Sequence, residues 1–149
     1  MVERIRGSIE KAVVAVPARL QSSRLPNKVL ADIGGQPMIQ RVLHRCREAR
    51  DVDAVVLCTD SDQLQRLAES WGFPVLMTSA DCSSGSERIA SVADALMALA
   101  WDDQPADPAR TAVINVQGDQ PFIDPAVIDA MVAEFQRRDL LPEVVTPVY

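Results

Sequence analysis

Four short apolar runs, each followed by a stretch with helical spacing, constrain this chain more than any other feature. Val13 to Val16 lacks alternation and reads as a buried strand, Ala54 to Cys58 as a second apolar strand, Pro74 to Met77 as a third, short one, and Ala112 to Val116 as the next buried strand. After the first come Met38, Ile39, Val42, Leu43 and Cys46 at helical spacing, with arginines on the opposite face. Leu64, Leu67, Ala68 and Trp71 follow the second, closed by Gly72. Ile89, Val92, Ala93, Leu96 and Leu99 follow the third as the stripe of one helix ending near Trp101. Val127, Ile128, Met131, Val132 and Phe135 follow the fourth. Capping-box spacings at Asp60/Gln63 and Ser84/Glu87, and the pair Asp124-Pro125, mark three helix starts. Strands alternating with helices imply one α/β domain over residues 1–149. Its sheet is Rossmann-like and mostly parallel, with right-handed crossovers and helices on both faces in three layers. Glu143 to Tyr149 reads as the start of another strand, so the sheet is expected to be C-terminally incomplete. Met1 to Lys11 reads as a polar lead-in that frays, and Asp102 to Arg110 as an exposed connector.

Between the first strand and its helix lies an unusually long polar loop, from Pro17 to about Gln36. It carries Arg19, Arg24 and Lys28 against one acid, Asp32, in a chain whose net charge is −6 and which has only two lysines. Loops of this length in a compact domain are usually functional. In an open α/β sheet the ligand crevice lies outside the carboxyl ends of the strands, so cations concentrated there suit an anion. Pro17 and Pro26 stiffen the backbone, and Gly34-Gly35 allow a tight return into the helix. The same composition also suits a solvated basic loop paired with surface carboxylates, Arg24 with Asp32 for example.

Composition excludes several classes. An acidic chain with 4% aromatic residues is not a nucleic-acid surface, and no stretch approaches a membrane span or a signal h-region. A cytoplasmic protein is expected. Cys46, Cys58 and Cys82 are odd in number and widely spaced, which fits neither a disulfide framework nor a zinc site, and the first two fall on apolar faces. His44, among Arg41, Arg45 and Arg47, reads as a surface residue.

Three separated motifs carry a resemblance. P-A-R-L-Q-S-S-R-L-P-N-K-V-L-A-D-I-G-G-Q-P-M-I at 17–39, S-G-S-E-R at Ser84 to Arg88 and N-V-Q-G-D-Q-P at Asn115 to Pro121 resemble, in order and spacing, the sugar cytidylyltransferases, and among them those acting on the acid sugar Kdo. Leu20-Gln21-Ser22-Ser23-Arg24 differs from the glycine-containing loop of the sialic-acid branch. The chain departs from Kdo-type sequences at Gln120, often Glu there, at Asn27, often Gly, and at Gln36, often Lys.

The resemblance implies a fold of the nucleotide-diphospho-sugar transferase type, and transfer of CMP from CTP to the 2-hydroxyl of Kdo for lipopolysaccharide biosynthesis, with Mg2+ as cofactor. It implies that the Ala18 backbone and Arg19 cradle the nucleotide and that Lys28 stabilises the departing phosphates. Ser84, Gly85 and Arg88 would line the cytosine and ribose side, with Gln117 near the attacking sugar and Asp119 on the metal. Without the resemblance, Asp119 is equally a turn residue after a glycine, Ser84 a simple helix cap, and Gln117 a partner for strand-end backbone. The family continues for roughly another hundred residues, implying a homodimer and a second metal carboxylate in a V-D-T-P-E-D-like segment beyond Tyr149. The 149 residues are therefore expected to bind CTP with little transfer, unless they serve as a catalytically silent binding module.

Overall fold

Val13, Val14, Ala15 and Val16 have no solvent exposure, and the sheet is built outward from them. The computed structural model describes residues 9–21 and 25–137. Along the chain come β1 (Lys11–Ala18), a 3-10 turn (Lys28–Leu30), the hairpin strands β2 (Asp32–Ile33) and β3 (Gln36–Pro37), and α1 (Met38–Arg47). β4 (Ala54–Thr59), α2 (Asp62–Ser70), β5 (Val75–Met77), α3 (Gly85–Ser91) and α4 (Ala93–Trp101) follow. A second 3-10 turn (Pro108–Arg110), β6 (Thr111–Asn115) and α5 (Pro125–Arg137) complete the described chain.

The main sheet has the order β5-β4-β1-β6, and every pairing in it is parallel. Alternate residues of β1 face opposite layers. Val14 and Val16, with Leu57 and Ile114, meet Ile39, Val42, Leu43 and Cys46 of α1, Leu64 and Ala68 of α2, and Ile128 and Val132 of α5. Val13 and Ala15, with Val56 and Cys58, meet Ile89 of α3 and Leu96, Ala100 and Trp101 of α4. This double burial is why β1 and β4 are continuous apolar runs. The Trp101 indole N–H donates to Thr111 Oγ1 at 2.6 Å, and that hydroxyl donates to the Asp107 carbonyl, so α4 is tied to the start of β6. Burial pushes the Cys46 and Cys58 thiols up to about 12, as befits inert core residues.

Several local expectations shift. The first loop is partly ordered. Asn27 stands at φ 60°, a left-handed conformation that Asn tolerates better than most residues, and leads into the 3-10 turn. Gly34 and Gly35 at φ 61° and 95° close the β2–β3 hairpin, where Asp32 accepts from the Gly35 N–H at 3.2 Å. Arg41 of α1 donates to the Ile33 and Gly34 carbonyls. Arg24, and with it the suggested Arg24–Asp32 pair, lies outside the described residues, as does the strand expected at Glu143 to Tyr149.

The α2 cap is Ser61, accepting from the Leu64 N–H at 3.1 Å, one residue later than the Asp60/Gln63 spacing suggested. The expected single helix to Trp101 is two, broken at Val92 (φ −124°, ψ 23°). The Ser91 hydroxyl donates to the Arg88 carbonyl at 2.7 Å, while the Val92 N–H turns to Ile89. Such side-chain back-bonding bends helices. In α4 the buried face is Leu96, Ala100 and Trp101, and Leu99 lies off it at 38% exposure. The lead-in is not loose throughout: Ile9 is buried, and the Glu10 N–H donates to the Arg110 carbonyl.

His44 is half-buried, its ring 5.5 Å from that of Phe73. Burial first, then the Arg47 charge, lowers its pKa below the ordinary 6.5. The folded state therefore binds this proton less readily than the unfolded chain. The contribution is complete above about pH 6.5 and is lost as pH falls through the unfolded and then the folded pKa. Denaturant midpoints measured from pH 7.5 to 5 should decline more steeply for the wild-type chain than for His44→Gln.

Candidate active site

The chain runs from β1 outward to β4 and β5, then returns across the sheet to β6 on the other side of β1. That reversal leaves a crevice between the carboxyl ends of β1 and β6, where open α/β sheets bind ligands. A cavity of about 260 Å³ opens there. Pro17, Ala18 and Arg19 come from the end of β1, Lys28 and Val29 from the 3-10 turn, Cys82 to Gly85 and Arg88 from the start of α3, and Gln117 to Asp119 from the turn after β6. All eight residues singled out from the sequence, Ala18, Arg19, Lys28, Ser84, Gly85, Arg88, Gln117 and Asp119, thus line one cleft.

Lys28 Nζ donates to Asp119 Oδ2 at 3.1 Å across 91 residues of sequence. The Arg19 guanidinium makes no hydrogen bond or ion pair among the described residues, and it is exposed. Arg88 is 3% exposed. Its Nη1 donates to Thr78 Oγ1 and to the Ser79 carbonyl, with Asp60 Oδ1 at 3.9 Å. The guanidinium thereby ties α3 to the ends of β4 and β5, forming a fixed wall of the cleft. Three cations against one lining carboxylate make the crevice favourable to an anion in an otherwise acidic protein.

Ser84 caps α3, accepting from the Glu87 N–H at 3.0 Å, as its spacing implied. Glu87 reaches back one residue further than a capping box requires, accepting from the N–H and hydroxyl of Ser83, which holds its carboxyl below the usual range. A Cβ at Gly85 would lie 2.9 Å from the Pro17 ring and 3.0 Å from Gln117 Oε1; one at Gly118 would lie 3.1 Å from the Pro17 carbonyl oxygen and the Ala18 Cβ. Both glycines therefore let the cleft walls close on β1. The Gln117 side chain donates to Asn115 Oδ1 at 2.8 Å instead of serving strand-end backbone; Gln120 does that, accepting from the Gln117 N–H at 3.0 Å.

Sequence reasoning missed Cys82, Asp60 and Thr78. Cys82, buried in the cleft wall, stood two residues before a recognised motif. Thr78 carries no local signal and Asp60 only that of a helix cap, since their part in the site is to hold Arg88 from other elements.

Among the described residues no group of three or more His, Cys, Asp or Glu side chains could hold a metal ion. Asp119 alone fits a hard divalent cation that takes one or two protein carboxylates and completes its shell with substrate phosphates, rather than one held in an all-protein cage. No helix among the described residues is long and apolar enough to cross a membrane.

Fold and cleft define a doubly wound α/β domain with an anion-suited site at its switch point. The chain belongs to the cytidylyltransferase family, whose profile matches residues 13–147. It is 44% identical over 128 residues to the 8-amino-3,8-dideoxy-manno-octulosonate cytidylyltransferase of Shewanella frigidimarina, covering 86% of this chain and 49% of that protein. It is 42% identical over 129 residues to 3-deoxy-manno-octulosonate cytidylyltransferase 2 of Hydrogenovibrio crunogenus, with coverages of 87% and 48%. Among solved structures, a CMP:2-keto-3-deoxy-manno-octonic acid synthetase complexed with CTP superposes with a TM-score of 0.73 at 35% identity, covering 85% of this chain and 48% of that one. The chain spans about half the length of the relatives it matches.

Proposed function

We propose that this chain provides the nucleotide site of an enzyme that transfers CMP from CTP to the 2-hydroxyl of Kdo, releasing pyrophosphate, in the cytoplasm and for lipopolysaccharide biosynthesis. The observation that carries this reading is the convergence of Arg19, Lys28 and Asp119 at the switch point, in a chain 35% identical to a CTP-complexed relative.

On this reading Arg19 and the Ala18 backbone hold the triphosphate, and Lys28 neutralises the charge that develops on the leaving β,γ-phosphates. Ser84, Gly85 and Arg88 form the base and ribose wall, and Gln117 faces the acceptor sugar. The hydroxyl oxygen attacks the α-phosphorus in line, forming one P–O bond as the α–β bridge breaks, with no covalent enzyme intermediate. The work of these residues is positioning and charge stabilisation. Asp119 would hold Mg2+, which supplies Lewis-acid polarisation of the phosphates when bound. The active form is a homodimer with a further carboxylate from sequence after Tyr149.

Titration of this chain with CTP and Mg2+, followed by pyrophosphate release on adding Kdo or its 8-amino analogue, tests the reading. CTP binding is expected, and loss of one carboxylate in Asp119→Asn should lower metal-dependent CTP affinity about tenfold. No CTP binding by the wild-type chain would overturn the reading.

A further inference from the structure

Lys28 and Asp119 stand on the rim of the cleft, their side chains 44% and 47% exposed, with the ammonium nitrogen 3.1 Å from a carboxylate oxygen. Under the function proposed above, on which this inference rests, each group has another partner: phosphate for Lys28, a divalent cation for Asp119. Each side chain therefore stands in as a partner of opposite charge for the other's ligand. A hard cation bonds a carboxylate oxygen at about 2 Å, so on Asp119 it would lie close beside the ammonium and meet its charge.

We infer that Lys28 makes Asp119 selective for a metal–triphosphate complex over the free metal ion. A free cation on Asp119 would sit beside the Lys28 ammonium in a cleft that already holds Arg19 and Arg88, adding positive charge to positive charge. Among the described residues it would find no cluster of further ligands to offset that cost. A metal–triphosphate complex brings its own anion. The metal takes Asp119 as a phosphate oxygen takes Lys28, and one ion pair is exchanged for two interactions of matched sign. Linkage then requires metal and nucleotide to bind with positive coupling, each raising the affinity of the other by the same factor.

The test measures free Mn2+ by electron paramagnetic resonance against the wild-type chain, Lys28→Met, Lys28→Arg and Asp119→Asn, first without nucleotide and then with CTP. Without nucleotide, Lys28→Met should bind Mn2+ about two- to fivefold more tightly than wild type, the size expected for loss of an exposed ion pair. Lys28→Arg, which keeps the cation, should stay near wild type, and Asp119→Asn should bind most weakly. With CTP the order should invert, with wild type taking up Mn2+–CTP about tenfold more tightly than Lys28→Met. Metal affinity that is unchanged or weakened in Lys28→Met, or retained in Asp119→Asn, overturns the inference. Mn2+ gained by Lys28→Met with no CTP bound by any variant instead overturns the nucleotidyl-transfer reading, leaving Lys28 as a block on the metal alone.

Discussion

A Gly85→Val chain is expected to lose CTP affinity by about tenfold to a hundredfold, the equivalent of the 1–3 kcal/mol that overpacking a close contact costs. The Cβ position at Gly85 lies 2.9 Å from the Pro17 ring, and that ring belongs to β1, whose neighbouring residues are fully buried. Gln117, on the other side, is held by Asn115. The Pro17 ring does not yield as the tip of a lysine would, whereas the exposed Gln117 amide yields at the cost of its bond to Asn115. The branched side chain must push the start of α3 away from β1, displacing the Ser83–Gly85 turn that lines the cleft. Calorimetric titration with CTP measures the loss, and circular dichroism checks that the fold survives. A folded Gly85→Val chain with wild-type affinity would place the nucleotide elsewhere.

Leu57→Ala is expected to destabilise the fold by about 2–5 kcal/mol, a large part of the 5–15 kcal/mol typical of a domain. Leu57 has no exposed surface; it pairs with Val16 of β1 and Val75 of β5 in the interior of the sheet and faces the layer formed by α1, α2 and α5. Neighbours on both sides are held by ladder hydrogen bonds, so the cavity cannot collapse. Leu99→Ala is the informative contrast. Periodicity nominated Leu99 for the same kind of core role, yet at 38% exposure its truncation should cost about 1 kcal/mol or less. Urea melts of both variants give the comparison, with the midpoint moving far for Leu57→Ala and little for Leu99→Ala.

That contrast shows where the sequence was legible. Strands covered on both faces are continuous apolar runs, so β1 and β4 could be read from the order of residues, and with them the α/β class; β6 buries only alternate residues, with Val113 36% exposed, so Ala112 to Val116 is not the fully buried strand that its apolar run suggested. The site motifs could be read because each follows a strand end, where such a sheet binds ligands. Helix continuity was less legible, since the break at Val92 depends on one serine hydroxyl competing for a carbonyl, and periodicity does not register that competition. Likewise, Ser61 takes the α2 cap from Asp60, and Asp60 turns toward Arg88.

The order of strands and helices, the cations of the first loop and the residues that follow each strand are written in the linear chain. Local patterning encodes these, because burial on one face or two leaves its own periodicity. That β6 lies beside β1 rather than β5, and so that Lys28 meets Asp119, comes from the folded arrangement. The same arrangement makes Gly85 a close approach that a side chain would crowd and holds Arg88 from the ends of β4 and β5. These depend on which strands become neighbours, a long-range choice made by packing both faces of one sheet at once.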